Sequence, residues 1–155
     1  LKNNKVNKIC LSASGGGHLS QLLKLSASWH DYECVYITTT DIVRNKLIKL
    51  GKVYIAGECN RHHPVKVMKV FWQSLKIIYR EQPDVLISTG AAVGCMACFL
   101  GKIFGAKVIW IDSITNVEQI SLSGRMVRFI ADLFLVQWPH LADQYKNVEY
   151  VGSVI

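Results

Sequence analysis

The chain has 155 residues, half of them apolar and 19% charged, with 3 Pro and 11 Gly. That composition excludes intrinsic disorder, collagen-like repeats and low-complexity tails. The net charge of +7 is uneven: residues 1–80 carry 13 Lys/Arg against 4 Asp/Glu, and residues 81–155 carry 5 against 7. One half of the chain therefore carries a basic field suited to nucleic acid, an anionic membrane or a phosphorylated substrate.

A chain this long buries roughly two-thirds of its unfolded surface, so a single domain over 1–155 needs no disulfide or metal staple. Five irregularly spaced cysteines read as free thiols in a reducing compartment. The polar start, Leu1-Lys2-Asn3-Asn4-Lys5, does not resemble a signal peptide. The longest apolar run, 91–101, falls short of the ~20 residues that span a bilayer.

In chain order, short β-branched runs alternate with helical patterns. Strands are expected at 9–12, 34–38, 52–55, 85–88, 107–111, 133–136 and from 149. Helices are expected from about His18, over 41–50 with Asp41 as N-cap, over 64–80 with Pro64 in the first turn, after 90, and over 124–131. Strict alternation predicts an α/β, Rossmann-like doubly wound parallel sheet. In such a sheet ligands bind beyond the carboxyl ends of the strands, so the polar residues after each strand are the candidates for chemistry.

After the first strand comes Ser12-Ala13-Ser14-Gly15-Gly16-Gly17-His18. Ser14 and the glycines Gly15, Gly16 and Gly17 suit a phosphate or diphosphate loop at a helix start, with His18 facing the crevice. The alternative is a tight turn with a capping histidine. The third dinucleotide glycine is replaced by Ser20, no acid closes the second strand, and no Walker lysine follows. After the fourth strand, Ser88, Thr89, Gly90 and Ala91 open a second helix at the same edge, either for an anion or for close helix–sheet packing. After the fifth, Asp112, Ser113 and Asn116 offer a carboxylate that could orient a sugar hydroxyl or support His18 as a base, or else cap a turn.

Over 64–80, Lys66, Lys69, Gln73, Lys76 and Arg80 form one stripe, and Met68, Phe71, Leu75 and Ile78 form an apolar stripe opposite. This is either a solvated face over a buried one or an interfacial helix on anionic lipid, with Phe71 or Trp72 inserting. Cys95 and Cys98 have redox spacing but sit in an apolar helix and read as core residues. Cys59, His62 and His63 lack a second zinc-ligand cluster, so Arg61, His62 and His63 read as a basic loop at the crevice.

Together, Ser14-Gly15-Gly16-Gly17-His18-x-x-Gln21, Ser88-Thr89-Gly90-Ala91, Asp112-Ser113, Ser121-Leu122-Ser123-Gly124-Arg125 and Ala131-Asp132 through Val136-Gln137-Trp138-Pro139 resemble bacterial PssD-type polysaccharide proteins. These are relatives of the membrane-anchored subunit of the dolichyl-diphosphate N-acetylglucosamine transferase and, more distantly, of the MurG amino-terminal domain. The resemblance implies the amino-terminal half of a GT-B glycosyltransferase. Such a subunit binds a polyprenyl-diphosphate saccharide, and its partner chain carries the nucleotide-sugar site. It implies capsular or exopolysaccharide assembly at the cytoplasmic membrane face, with no cofactor, no metal and no nucleic acid. By carry-over, Gly15–His18 and Ser88–Ala91 are acceptor-side loops. Many relatives carry Glu at position 112 and Arg at 116, where this chain has Asp112 and Asn116. Eukaryotic relatives have an amino-terminal transmembrane segment; here the basic helix would supply membrane contact. A non-catalytic scaffold that anchors its partner is the competing expectation, and a dinucleotide-binding redox protein is a third.

Overall fold

The computed structural model describes residues 6–59 and 62–154. Seven parallel strands form one sheet: β1 (Lys8–Ser12), β2 (Glu33–Thr38), β3 (Lys52–Ile55), β4 (Val85–Ser88), β5 (Lys107–Ile111), β6 (Leu133–Val136) and β7 (Glu149–Tyr150). Their order is β3-β2-β1-β4-β5-β6-β7. The order reverses between β1 and β4, which makes their carboxyl ends the switch point where α/β domains bind ligands. This is the Rossmann-like sheet that the alternation predicts.

The helices are α1 (Gly17–Lys24), α2 (Arg44–Leu47), α3 (Pro64–Glu81), α4 (Ala91–Ile103), α5 (Leu122–Val127) and α6 (Pro139–Gln144). Period-two alternation along the strands feeds two cores. Ile9, Leu11, Tyr36 and Ile111 pack with Leu19 and Leu22 of α1 on one face. Cys10, Leu86, Trp110 and Phe134 pack with α3 through α6 on the other. Cys95 and Cys98 are in this second core. Burial pushes the Cys95 thiol up to about 11 and the Cys98 thiol well above its ordinary value.

Three local expectations change. Residues 41–50 form a 3₁₀ turn, Asp41–Val43, and then the four-residue α2. The cap is Thr40, not Asp41: its Oγ1 accepts from the Ile42 N–H at 3.4 Å. The helix expected over 124–131 begins earlier, at Leu122, because Ser121 Oγ caps the Gly124 N–H at 2.9 Å.

The third change concerns α3. Its buried face is Val70, Ser74, Ile77, Ile78 and Glu81, whereas Met68 is exposed. The polar residues turn the helix. Glu81 is 5% exposed and accepts from Tyr54 Oη at 2.5 Å, Lys8 Nζ at 3.1 Å and Lys52 Nζ at 3.3 Å. A carboxylate loses more by separation from two ammonium groups than a methionine loses by exposure. The outer face of α3 then shows Val65, Met68, Trp72 and Tyr79 to solvent, beside Lys69 and Lys76.

Candidate functional site

Two loops meet at the switch point. Ala13 continues the sheet through a bond from its N–H to the Ile37 carbonyl at 3.1 Å, and the Gly15 N–H donates to Thr39 Oγ1 at 3.1 Å. The Gly15 backbone lies against Thr40, where a Cβ would stand 2.3 Å from a methyl carbon. Gly16 and Gly17 are exposed, and a Cβ at either would meet no atom within 4 Å. Across the crevice, Ser88 Oγ accepts from the Gly90 N–H at 3.2 Å. Gly90 (φ 137°) and Ala91 (φ 67°) then turn the chain into α4 through left-handed backbone, which is unfavourable for alanine and characteristic of constrained sites.

His18 joins the loops. Its Nδ1 lies 3.0 Å from the Thr89 carbonyl oxygen, and Thr89 Oγ1 donates to the His18 carbonyl at 2.6 Å. The imidazole sits so close over Gly90 that a Cβ there would lie 2.6 Å from ring atoms. A carbonyl only accepts, so the Nδ1 contact places the neutral ring's proton on Nδ1 and leaves Nε2 with its lone pair. This half-buried ring is thus locked in orientation with one nitrogen able to take a proton.

In the third loop Asp112 takes the turn-capping alternative that its sequence position also offers. Asp112 is 2% exposed, and four donors saturate its carboxylate. Trp110 Nε1 (3.0 Å) and Ser121 Oγ (2.6 Å) reach Oδ1; Asn116 Nδ2 (3.0 Å) and the Ser121 N–H (2.9 Å) reach Oδ2. Asp112 and Asn116 therefore tie the β5 loop to the start of α5, rather than presenting free groups to a ligand. Ser113, 5% exposed, accepts from Gln21 Nε2 at 3.1 Å and contacts Thr115 Oγ1 at 3.0 Å.

Sequence reasoning missed the second half of that network. Gln137 Nε2 donates to Gln21 Oε1 (2.7 Å) and to the Asp112 carbonyl (3.0 Å), while its Oε1 accepts from the Val154 N–H (2.8 Å). Gln137 directly follows β6 at the ligand edge, and that position is the signal that could have found it. Also missed was Glu58, an exposed side chain after β3 that lines a cavity with Ser14, Thr39, Cys59, Ala91 and Ala92.

Ser14, Gly15, Gly16, Gly17, His18, Ser88, Thr89, Gly90 and Ala91 come together in one crevice. Arg61 lies outside the described residues. Lys66, Lys69, Lys76, Arg80 and Trp72 are exposed on α3, whereas Phe71 packs on the core and meets Trp72 edge-on at 5.9 Å. Trp72, with Val65 and Met68, is thus the exposed apolar group of the helix.

Among solved structures, MurG from Acinetobacter baumannii superposes with a TM-score of 0.75 at 15% identity, over 95% of this chain and 45% of that one. The UDP-GlcNAc 2-epimerase of Methanocaldococcus jannaschii superposes at 0.69 and 12% identity, over 94% and 45%. Both likenesses are of fold. In sequence, the human UDP-N-acetylglucosamine transferase subunit ALG14 is 26% identical over 95% of this chain and 82% of its own length. The Schizosaccharomyces pombe subunit is 38% identical over 55% of this chain and 40% of its own. The family model for oligosaccharide biosynthesis protein Alg14 like matches residues 24–154. With that match across most of its length, the chain belongs to the Alg14-like family of oligosaccharide biosynthesis proteins.

Proposed function

We propose that this chain is the acceptor-binding, membrane-recruiting subunit of a two-chain glycosyltransferase, built as the amino-terminal half of a GT-B enzyme. Its relatives are named as subunits of a UDP-N-acetylglucosamine transferase, which supports a UDP-sugar donor held by a partner chain. The acceptor is a polyprenyl-diphosphate saccharide, undecaprenyl in a bacterial, PssD-like setting, and the pathway is capsular or exopolysaccharide assembly at the cytoplasmic membrane face. The observation that carries the reading is the reciprocal His18–Thr89 clamp at the switch point.

The reaction is a displacement at the donor's anomeric carbon. The acceptor hydroxyl forms the new C–O bond, the bond to the nucleotide diphosphate breaks with its electron pair, and the hydroxyl proton passes to His18 Nε2. The clamp holds that nitrogen in place before substrate arrives, which lowers the entropic cost of aligning the reactants. Asp112, held by its own four donors, acts as a positioning residue beneath the loop. Its internal use favours one further reading, a scaffold that leaves all chemistry to the partner.

Sugar transfer is expected only from the complex. Purified chain and purified partner, each incubated with UDP-N-acetylglucosamine and a polyprenyl-diphosphate acceptor, give no product; mixed, they do. Transfer by this chain alone overturns the split-enzyme reading.

Membrane contact is expected along the exposed face of α3. Among the described residues no helix is long and apolar enough to cross a membrane. Each cation near an anionic leaflet contributes roughly 1 kcal/mol, and Trp72 and Met68 offer exposed apolar area beside them. Lys69→Glu with Lys76→Glu should release the chain from phosphatidylglycerol vesicles in a flotation assay without changing its circular dichroism. Salt near ~1 M, where the screening length is about 3 Å, should do the same to wild type. Undiminished binding by the double variant means that this face is merely solvated.

A further inference from the structure

Two buried glutamines stand behind the crevice, on segments far apart in the chain. Gln21 lies on α1, three residues after His18, and Gln137 directly follows β6. Their amides meet: Gln137 Nε2 donates to Gln21 Oε1 at 2.7 Å, across 116 residues of sequence. Each amide is also held by backbone. The Ile114 N–H donates to Gln21 Oε1 at 3.3 Å, the Asp112 carbonyl accepts from Gln137 Nε2 at 3.0 Å, and the Val154 N–H donates to Gln137 Oε1 at 2.8 Å. A backbone N–H only donates and a carbonyl only accepts, so each amide fits one way round. Gln21 Nε2 donates to Ser113 Oγ at 3.1 Å, which completes the pair: all four amide atoms have partners, as buried polar atoms require.

The pair bears on His18 through α1. Leu19 and Leu22 press that helix onto the sheet, but apolar contact is non-directional. Among the described residues, two α1 side chains form hydrogen bonds beyond the helix and its preceding loop: His18, at the Thr89 carbonyl, and Gln21. Positions three apart are neighbours on a helix surface, so the two anchors sit one turn from each other. One anchor alone is a pivot; two fix both rotation and slide. The Thr89 carbonyl holds the ring at Nδ1, and the glutamine pair holds the helix from which the ring projects. Gln137 is bonded in turn to Asp112 after β5 and to Val154 after β7, so α1 is located against the ends of β5, β6 and β7.

We infer that Gln137 is a positioning residue: acting through Gln21, it sets the place of α1 and so of His18 Nε2 in the crevice. The bond between the two amides is the joint. Without it α1 pivots about the Thr89 contact, and Nε2 leaves its line to the acceptor hydroxyl. A misplacement on the order of 1 Å costs about 10²-fold in rate. The role of Nε2 as the base rests on the function proposed above; the placement of the ring does not, and it is measurable in the isolated chain.

Two variants test this. Gln137→Met keeps the side-chain length and removes its hydrogen bonds. Gln21→Met removes the same joint from the α1 side and carries the test alone if circular dichroism shows the first variant unfolded. In the isolated full-length chain, either should move the His18 ring resonances and the Thr89 amide in NMR spectra. In the two-chain complex, at saturating partner, either should lower kcat about 10- to 100-fold while the acceptor KM stays within about threefold. Introduced into the His18→Ala chain, either should lower kcat further by less than about twofold, because a group that acts through His18 has nothing left to place. A full further loss in the His18→Ala background means that the glutamines act elsewhere and overturns the proposal, as do unmoved His18 resonances. If His18→Ala itself leaves turnover intact, the base proposed above falls; moved resonances then still uphold the hold of Gln137 on the ring, and unmoved ones refute it.

Discussion

Turnover of the two-chain complex falls about 10²- to 10⁴-fold when His18 becomes Ala, the range expected for loss of a positioned acid–base group. The effect should appear in kcat, since Nε2 acts on the hydroxyl proton in the transition state, with a smaller change in KM. A purely structural histidine would not give this pattern: its removal would loosen the loops and raise KM with kcat largely retained. Turnover within about threefold of wild type removes His18 from the chemistry and leaves the scaffold reading in place.

The sequence was most legible where one local signal sufficed. Each strand is a β-branched or aromatic run closed by a small or polar residue, and all seven lie near their expected positions. Chain alternation then dictates a parallel sheet, and the parallel sheet dictates the edge where the glycine loops meet. The pairing of His18 with Thr89 was legible only as neighbourhood, because 71 residues separate the partners. Asp112 shows the limit differently. Its place after β5 was readable, but its task is set by Ser121, nine residues on, and by Trp110, whose indole N–H must find an acceptor because the ring is fully buried. The orientation of α3 was the least legible feature. Periodicity picks out the apolar stripe but places Met68 on it, whereas the buried face is centred further round, on Val70, Ser74 and Ile77. The choice belongs to Glu81, whose partners Lys8, Lys52 and Tyr54 lie on other elements. Glu58 follows a strand within a loop that has no period at all, so the cavity it lines with Ser14, Thr39 and Ala91 appears only when the β3 end and the two crevice loops are brought together.

Glu81 makes that long-range choice measurable. Burial alone pushes its carboxyl up, but the Tyr54 hydroxyl and the ammonium groups of Lys8 and Lys52 outweigh burial and hold it at about 2, against an ordinary 4.5. The folded group therefore binds a proton less readily than the unfolded one. Its stabilisation is complete above pH 4.5 and drains away as pH falls toward 2. Such a shift corresponds to about 2–3 kcal/mol, the lower figure allowing for solvent screening at the half-exposed Lys52. Glu81→Gln should cost that amount at pH 7 in urea unfolding, because it leaves the Lys8 ammonium without its buried partner and keeps only a neutral acceptor for Tyr54. The gap between variant and wild type should narrow steadily below pH 4.5 and nearly close by pH 2. The cluster lies at the amino-terminal ends of β1, β2 and β3, the sheet edge opposite the crevice, so the folded variant should keep its turnover in the complex at temperatures well below unfolding. A stability gap that stays constant from pH 7 to pH 2 would mean that α3 is oriented by its apolar contacts alone, and that Glu81 is tolerated on its buried face without directing it.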